Sequence, residues 1–191
     1  MRIILDVETS GLPGKRYAHY KDLKAYDTSR IVSISWIITT TRNRVVAKHY
    51  EVVKPDGFCI SRESALIHGI SQREAIRTGS PFKEVVKKIR RSLEAYPCDT
   101  FVAHNVYFDF NILLSELYRL GDHALIGQLF KMNRYCTMMN GKKQLELAKF
   151  PKLVELYETL MSVPMENAHN ALADAEGCYE CFKILYQRNQ A

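Results

Sequence analysis

The chain has 191 residues, of which 47% are apolar and 25% charged, which predicts one globular domain and excludes disordered, collagen-like and disulfide-stapled classes. No stretch approaches the roughly eighteen apolar residues of a bilayer span, and acidic residues stand where a signal peptide needs an apolar centre, so we predict a soluble, intracellular protein without membrane contact. The formal net charge is +6, and residues 1–95 carry 18 Lys and Arg against 10 Asp and Glu, which is compatible with a polyanionic partner such as nucleic acid and with plain solubility.

The first three predicted elements of the chain are strands. Residues 2–8 have the apolar pattern of a buried strand, and residues 30–41 and 45–54 predict two more strands joined in a hairpin at 42–44. Ser80 as N-cap and Pro81 at the first helical position then begin an amphipathic helix that reaches Leu93. The later predicted elements are a strand at 100–104, helices at 107–120, 152–161 and about 170–187, and a weak strand at 131–137.

This order of elements indicates the fold class. Strands that form a meander and then alternate with helices predict one α/β domain over residues 1–191, with a mixed five-stranded sheet covered by helices on both faces. In such sheets, sites gather at the carboxyl ends of the central strands and at the helix N-termini beside them. Candidate functional residues are therefore sought there.

The five cysteines are scattered and odd in number, which favours reduced thiols over a disulfide framework. Cys178 and Cys181 alone have a C-x2-C spacing, and no second Cys or His pair stands near enough to complete a zinc site. We therefore predict that both are core or half-core residues of a helix and that they hold no metal.

Asp6 and Glu8 end the first strand. Alternate strand residues share a face, so both carboxylates point the same way as Ile4. Two like charges beside a buried strand repel one another, which a divalent cation would relieve, although a strand end emerging into water would also place acids here.

Two further acids stand at predicted helix starts. Asp109 falls in the first turn of the helix after the fourth strand, where it supplies a carboxylate or simply complements the helix macrodipole. His169 and Asp174 stand five residues apart around the start of the last helix, so His169 lies at its entry beside the carboxylate or is a solvated surface histidine. Asn105 is also compatible with a plain N-cap.

Three segments read together resemble the motifs of the DEDDh family, the DnaQ-like 3′-to-5′ exonucleases. They are Asp6–Leu12 (DVETSGL), His104-Asn105-x-x-Phe108-Asp109 and His169-x4-Asp174. The resemblance extends to residues 30–37 and 68–70, and several separate segments must agree at once, which makes it specific. Within this resemblance, the histidine at position 169 indicates the DEDDh branch rather than the DEDDy branch, which uses a tyrosine.

The resemblance implies an RNase H-like fold in which four carboxylates hold two Mg²⁺ or Mn²⁺ ions and His169 acts as general base; the carboxylates are Asp6, Glu8, Asp109 and Asp174. This fits the chemistry of phosphodiester hydrolysis, because two hard cations about 3.5 to 4 Å apart neutralise charge on the attacking and leaving oxygens. A neutral imidazole near the attacking water takes its proton.

The resemblance also implies contacts to the terminal nucleotide, with Leu12 packing against its base. Leu12 and Phe108 are equally compatible with core positions. The family usually has Thr-Thr-Gly where this chain has a serine in the middle, and the serine keeps the hydroxyl. The implied substrate-binding residues are Thr9, Ser10, Gly11, Leu12, His68, Asn105 and Phe108.

Two basic segments have two interpretations each. The long connection 13–29 interleaves basic residues with tyrosines, which would track phosphates and stack bases or would form a solvated loop; its members are Lys15, Arg16, Lys21, Lys24, Tyr17, Tyr20 and Tyr26. The predicted helix after Pro81 carries a basic cluster, which is either its solvent-exposed face or a contact surface for nucleic acid. The members of the cluster are Lys83, Lys87, Lys88, Arg90 and Arg91.

The sequence therefore predicts a metal-dependent exonuclease that releases nucleoside 5′-monophosphates from a single-stranded 3′ end, with DNA favoured in proofreading or 3′-end repair. An exoribonuclease that trims short or structured RNA and a catalytically inactive nucleic-acid-binding module are the alternatives. The motifs do not specify the metal used in the cell, nor whether a polymerase or a second copy of the chain is a partner.

Overall fold

The computed structural model describes residues 1–188, and the last three residues of the predicted domain lie outside the described part. A mixed sheet has the strand order β3-β2-β1-β4-β5, in which the β3–β2 and β2–β1 pairs are antiparallel and the β1–β4 and β4–β5 pairs are parallel. The predicted five-stranded mixed sheet is confirmed. The strands are β1 (Arg2–Thr9), β2 (Ile31–Thr39), β3 (Val45–Val52), β4 (Thr100–Ala103) and β5 (Asn133–Cys136).

Eight helices are found in residues 1–188, four of them predicted. The helices are α1 (Arg62–His68), α2 (Gln72–Thr78), α3 (Phe82–Ala95), α4 (Val106–Arg119), α5 (His123–Phe130), α6 (Thr137–Gln144), α7 (Leu153–Met161) and α8 (Ala171–Arg188). Short α1, α2, α5 and α6 were missed, as was a 3₁₀ turn at Leu23–Tyr26. Within the described residues, no helix combines the length and the apolar character needed to cross a bilayer.

The helices cover both faces of the sheet. Ile3, Leu5 and Val7 point from β1 into a core shared with α3, α4 and α5. Ile4 points to the opposite face, where it packs with apolar residues of α8. Asp6 and Glu8 therefore lie on the α8 side, because the side chains of a strand alternate between its two faces.

The thiols behave as predicted from their spacing. All five cysteines are free, and Cys178 and Cys181 are fully buried on the inner side of α8. Both are core residues.

The start of α3 differs from the prediction. Pro81 is the N-cap, and its carbonyl accepts the first helical bond from the Glu84 N–H at 2.8 Å. Ser80 is instead part of a sheet-like bridge, since its N–H donates to the Val52 carbonyl and its carbonyl accepts from the Lys54 N–H, both at 2.9 Å. A serine whose backbone is held in this extended pairing does not cap the helix.

Candidate active site

The carboxyl ends of the parallel strands β1, β4 and β5 meet at one edge of the sheet, and Asp6 and Glu8 lie there. Their partners across β2 are Ser35 and Ser33, both fully buried. Small side chains opposite the two acids leave room above the sheet, on the side where α8 begins.

The third carboxylate comes from α8. Ala171, Ala175 and Cys178 are fully buried on the helix face turned to the sheet, and such small residues let the helix approach closely. Asp174 lies one turn before Cys178 on this face, so it reaches the end of β1. One carboxylate oxygen from each of Asp6, Glu8 and Asp174 lies within 4.8 Å of the other two.

Asp109 is placed by the end of β4. That strand pairs with β1 only as far as Ile4 opposite Val102, after which Asn105 takes a left-handed conformation (φ 62°) and α4 begins. The Val7 N–H, beyond the paired stretch, donates to the Asp109 Oδ1 at 3.2 Å. Asp109 is only 3% exposed, and it adjoins the three clustered carboxylates.

Burial raises the pKa values of all four acids, and repulsion by neighbouring carboxylates raises those of Asp6, Glu8 and Asp109 further. Burial contributes most, and it raises the pKa of Asp6 and Asp109 well above the usual range, with Asp109 the strongest charged neighbour of Asp6. Burial, followed by the charge of Asp174, raises the pKa of Glu8 to about 8, and burial raises that of Asp174 to about 6. The protein places negative charges together at a desolvated edge, an arrangement that a bound cation stabilises.

These shifts predict a pH-dependent stabilisation by metal. In metal-free protein the folded state holds protons on Glu8 and Asp174 that the unfolded chain releases, so the free energy of unfolding falls as the pH rises from about 4 to about 8. We expect Mg²⁺ to raise the melting temperature more at pH 8 than at pH 5, by roughly 2 to 4 °C for each kcal/mol of binding. Thermal unfolding in Mg²⁺ and in EDTA, with KCl at matched ionic strength, measures this; an equal rise at both pH values contradicts it.

His169 lies beside Asp174 at the entry to α8. Its backbone is left-handed (φ 67°), and its N–H donates to both carboxylate oxygens of Asp174 at 3.3 and 3.2 Å. The Asn170 side chain caps the helix by accepting from the Leu172 N–H at 3.0 Å and from the Ala173 N–H at 3.3 Å. The imidazole is therefore exposed next to the carboxylates rather than inside the helix.

The segment after Glu8 is clamped to the start of β2. The Ser10 hydroxyl donates to the Thr28 carbonyl at 3.1 Å and accepts from the Arg30 N–H at 3.0 Å. A Cβ at Gly11 would stand 2.8 Å from the Thr28 carbonyl oxygen, so only glycine fits there. Leu12 follows with 76% of its surface exposed, which excludes the core interpretation for this residue.

The remaining predicted substrate residues surround this segment. His68 is buried at the end of α1, with its Nδ1 accepting from the Ile70 N–H at 3.1 Å, and burial lowers its pKa. Asn105 stands at the N-cap position of α4, but its side chain makes no capping bond and is exposed. Phe108 is half-buried and packs partly against the core.

A family model described as "Exonuclease", RNase_T, matches residues 3–182 of the chain. The chain belongs to this exonuclease family. No curated protein sequence matches it. The matched segment contains α4 and most of β1 and α8, so it includes all four carboxylates of the acidic cluster.

Several exonucleases of known structure have the same fold. One is "Exonuclease X in complex with 5' overhanging duplex DNA", at 21% identity and TM-score 0.64, over 100% of this chain and 93% of that one. E. coli Exonuclease I with a dT13 oligonucleotide aligns at 22% sequence identity with a TM-score of 0.74. The alignment covers 99% of this chain and 41% of that one, so this chain spans about two-fifths of that protein. The nuclease domain of 3'hExo, "a DEDDh family member, bound to rAMP", aligns at 14% sequence identity with a TM-score of 0.70. This alignment covers 98% of this chain and 92% of that one. The predicted RNase H-like fold is confirmed.

The acidic cluster fits a hard divalent cation. Its donors are all carboxylate oxygens, which Mg²⁺ and Mn²⁺ prefer, and three of them converge closely enough to share one ion. His104 stays outside this chemistry: its Nε2 donates to the Pro151 carbonyl at 3.1 Å, its Nδ1 accepts from the Thr137 hydroxyl at 3.0 Å, and burial lowers its pKa to about 4. It is a neutral histidine that ties the end of β4 to its neighbours.

Two apolar residues beside the site were missed in the sequence. Leu66 and Ile67 on α1 are 77% and 59% exposed, next to His68. Helix α1 is tied to the clamped segment, since the Ser64 hydroxyl donates to the Ser10 carbonyl at 2.9 Å. The signals that would have found this helix are its N-cap serine and the left-handed Gly69 that ends it.

The connection 13–29 is only partly a surface loop. Tyr20 and Tyr26 are buried, at 8% and 2% exposure, and the Tyr26 hydroxyl donates to the Ala18 carbonyl at 2.7 Å. Tyr17, in contrast, is 66% exposed. A stacking role for all three tyrosines is therefore wrong, because two of them support the segment from inside.

The basic cluster on α3 is largely paired with acids. Lys87 bridges to Glu84 at 2.7 Å and Lys88 to Glu51 at 2.6 Å. Arg90 forms an ion pair with Asp122, while Lys83 and Arg91 are exposed. These acidic partners favour the interpretation that the cluster is the solvent-exposed face of the helix.

Proposed function

We propose that this exonuclease domain is a metal-dependent 3′-to-5′ exonuclease that releases nucleoside 5′-monophosphates from a single-stranded 3′ end. The observation that carries the proposal is the convergence of Asp6, Glu8 and Asp174 within 4.8 Å, with Asp109 beside them and His169 bonded to Asp174. Carboxylates from three separate parts of the chain at one edge are the donor set that phosphodiester hydrolysis with divalent metal requires.

Each acidic residue has a defined task in this proposal. Divalent cations, when bound, neutralise charge on the scissile phosphate and make water a stronger nucleophile. Asp6, Glu8 and Asp174 would hold them, while the Val7 N–H fixes the direction of the Asp109 carboxylate from the other side. The high pKa values of these groups mean that protons compete with metal, so activity falls in acid.

His169 is the proposed general base. Its main chain is anchored to Asp174, so its ring is held at the edge of the cluster, where a ring nitrogen takes the proton of the attacking water. The exposure of the ring lets it pass that proton on to solvent. Asp174, with its carboxylate beside the ring, stabilises the imidazolium that forms.

The terminal nucleotide is held by the clamped segment. Leu12 offers an exposed apolar surface against which the last base packs, and Leu66 and Ile67 are exposed on α1, the helix that Ser64 ties to this segment. Asn105, whose side chain is not used for capping, is available to the sugar or phosphate. A single-stranded end is the proposed substrate of these contacts.

The direction of attack is tested with single-stranded oligonucleotides of about 20 nucleotides labelled at either end. In Mg²⁺ we expect the 3′ label to be released as a mononucleotide from the start, while the 5′-labelled strand shortens in single-nucleotide steps; EDTA stops both. Release of the 5′ label first, or of products longer than one nucleotide, contradicts the proposal. Binding without any release would favour the inactive module, although all five predicted catalytic residues are present.

DNA is the proposed polymer, with proofreading or 3′-end repair as its setting, and RNA is the alternative. The structures with DNA oligonucleotides support DNA, and the neighbour bound to rAMP supports the alternative. Rates on DNA and RNA strands of one sequence, at one salt concentration, decide between them. We expect faster release from DNA, and a strong preference for RNA overturns this part of the proposal.

A further inference from the structure

An exposed aromatic pair stands beside the acidic edge. The rings of Tyr17 and Tyr107 lie 5.2 Å apart at an angle of 73°, and the two residues are 66% and 41% exposed. Large aromatic side chains bury well, so two of them meeting in solvent leave apolar surface without a partner. The pair is built from a loop and a helix that are remote in sequence.

The pair is held rigidly from beneath. Ala18 is 3% exposed, and its carbonyl accepts from the Tyr107 hydroxyl at 3.1 Å and from the buried Tyr26 hydroxyl at 2.7 Å. Tyr17 itself has a left-handed backbone (φ 58°), which is unfavourable for a bulky side chain and persists only where surrounding contacts fix it. These contacts hold the Tyr17 ring outward, where 66% of the residue is exposed.

The two tyrosines lie on segments that also carry residues of the site. Tyr107 is two residues before Asp109 in the first turn of α4, so their Cα atoms are at most about 7.6 Å apart. Asp109 contacts β1 through the Val7 N–H. The segment that carries Tyr17 begins directly after Leu12, the residue proposed to hold the last base.

Positive charge accompanies the rings. The Arg16 guanidinium lies 4.8 Å from the centre of the Tyr17 ring, and Lys15 next to it is exposed. The other exposed basic residues of this loop are not placed over an exposed ring, since Tyr20 below Lys21 is buried against Tyr118. An aromatic face with adjacent cations is the arrangement with which proteins bind single strands without reading their sequence.

We propose that Tyr17 and Tyr107 form a stacking platform for a base of the single strand upstream of the scissile bond, with Arg16 beside the phosphate of that nucleotide. The proposal rests on the proposed nuclease function for the direction of the strand, and it adds a second binding position to that of Leu12. Stacking does not depend on the sugar, so the platform serves DNA and RNA alike.

Substrates of different length test the platform. Tyr17→Ala is expected to raise KM for a 12-nucleotide strand by roughly 5- to 150-fold, the range that loss of one stacked base implies. Turnover of the p-nitrophenyl ester of thymidine 5′-monophosphate, which occupies only the scissile position, stays at the wild-type value. Tyr17→Phe keeps its ring and retains wild-type KM, whereas Tyr107→Ala weakens binding as Tyr17→Ala does.

The matched control is Phe150→Ala. Phe150 is also an exposed aromatic residue, at 54%, with the Lys142 ammonium 4.5 Å from its ring centre, but it lies beyond α6. We expect its removal to leave KM unchanged. An equal loss in Phe150→Ala, a loss in Tyr17→Phe, or an equal effect of Tyr17→Ala on the ester and on the long strand overturns the platform.

Binding without turnover separates the platform from the nuclease proposal. Fluorescence anisotropy of a labelled 12-nucleotide strand in EDTA needs no hydrolysis, and there we expect the same ratio of Kd between Tyr17→Ala and wild type. Absence of mononucleotide release by the wild type would contradict the proposed function alone. Unchanged Kd in Tyr17→Ala, with an unchanged melting temperature, would contradict the platform alone.

Discussion

Asp6→Asn is expected to lower the rate of mononucleotide release by about 10³-fold or more. Asp6 lies at the centre of the cluster, where its pKa is raised first by burial and then by Asp109, Asp174 and Glu8 in turn. Losing this charge loosens the cations that stabilise the transition state by several kcal/mol, and each 1.36 kcal/mol is a factor of ten in rate. Release from a 3′-labelled strand in saturating Mg²⁺ measures the effect.

The same substitution has the opposite effect on stability without metal. Asparagine removes a charge that repels three neighbouring carboxylates, so we expect Asp6→Asn to melt at a higher temperature than the wild type in EDTA at pH 8 and to gain less from Mg²⁺. The matched control is Asp99→Asn at the other end of the sheet, whose side chain is 67% exposed and pairs with the N-terminus. A wild-type rate in Asp6→Asn would mean that the site has been assigned to the wrong residues.

Local patterns in the sequence were sufficient to predict β1, β4 and the start of α4, the elements around which the site is built. The period of two in β1 places Asp6 and Glu8 on the face of Ile4, and the structure has Ile4 on the α8 side. The end of β4 and the start of α4 likewise follow from a short apolar run and the asparagine after it. These features depend on neighbours in sequence, which is why periodicity finds them.

The short helices were missed for a physical reason. Helices α1 and α2 have seven residues each, which is too short for an apolar period to repeat. Their caps were nevertheless written in the sequence: the Ser61 and Ser71 side chains accept from backbone N–H groups three residues later, at 3.0 and 3.2 Å. Reading the caps before the period would have found both helices.

The sequence did not predict which tyrosines of the loop 13–29 are buried. Alternating basic and aromatic residues do not reveal which tyrosines pack inward, because that depends on partners remote in the chain. Tyr20 meets Tyr118 and Phe130, with ring centres 6.0 and 5.7 Å away. Only this packing leaves Tyr17 as the exposed ring.

The four acids, which the resemblance treats as one set, are not equivalent in the structure. Three come together above the sheet, while Asp109 accepts the Val7 N–H where β4 no longer pairs with β1. Asp109 therefore completes the edge of the sheet in addition to contributing charge. This double role follows from a strand end and a helix start that share one gap, which no spacing in the sequence specifies.

His169→Ala is expected to slow hydrolysis by about 10² to 10⁴-fold while metal and oligonucleotide remain bound. The contact of residue 169 with Asp174 is made by its backbone N–H, so the substitution removes the imidazole and keeps the anchor of the loop. His169→Asn is the matched variant, since asparagine tolerates the left-handed backbone (φ 67°) but does not act as a base near neutral pH. We expect both variants to lose kcat with KM nearly unchanged. A loss of oligonucleotide affinity in both would instead make His169 a binding residue, because only its ring has changed.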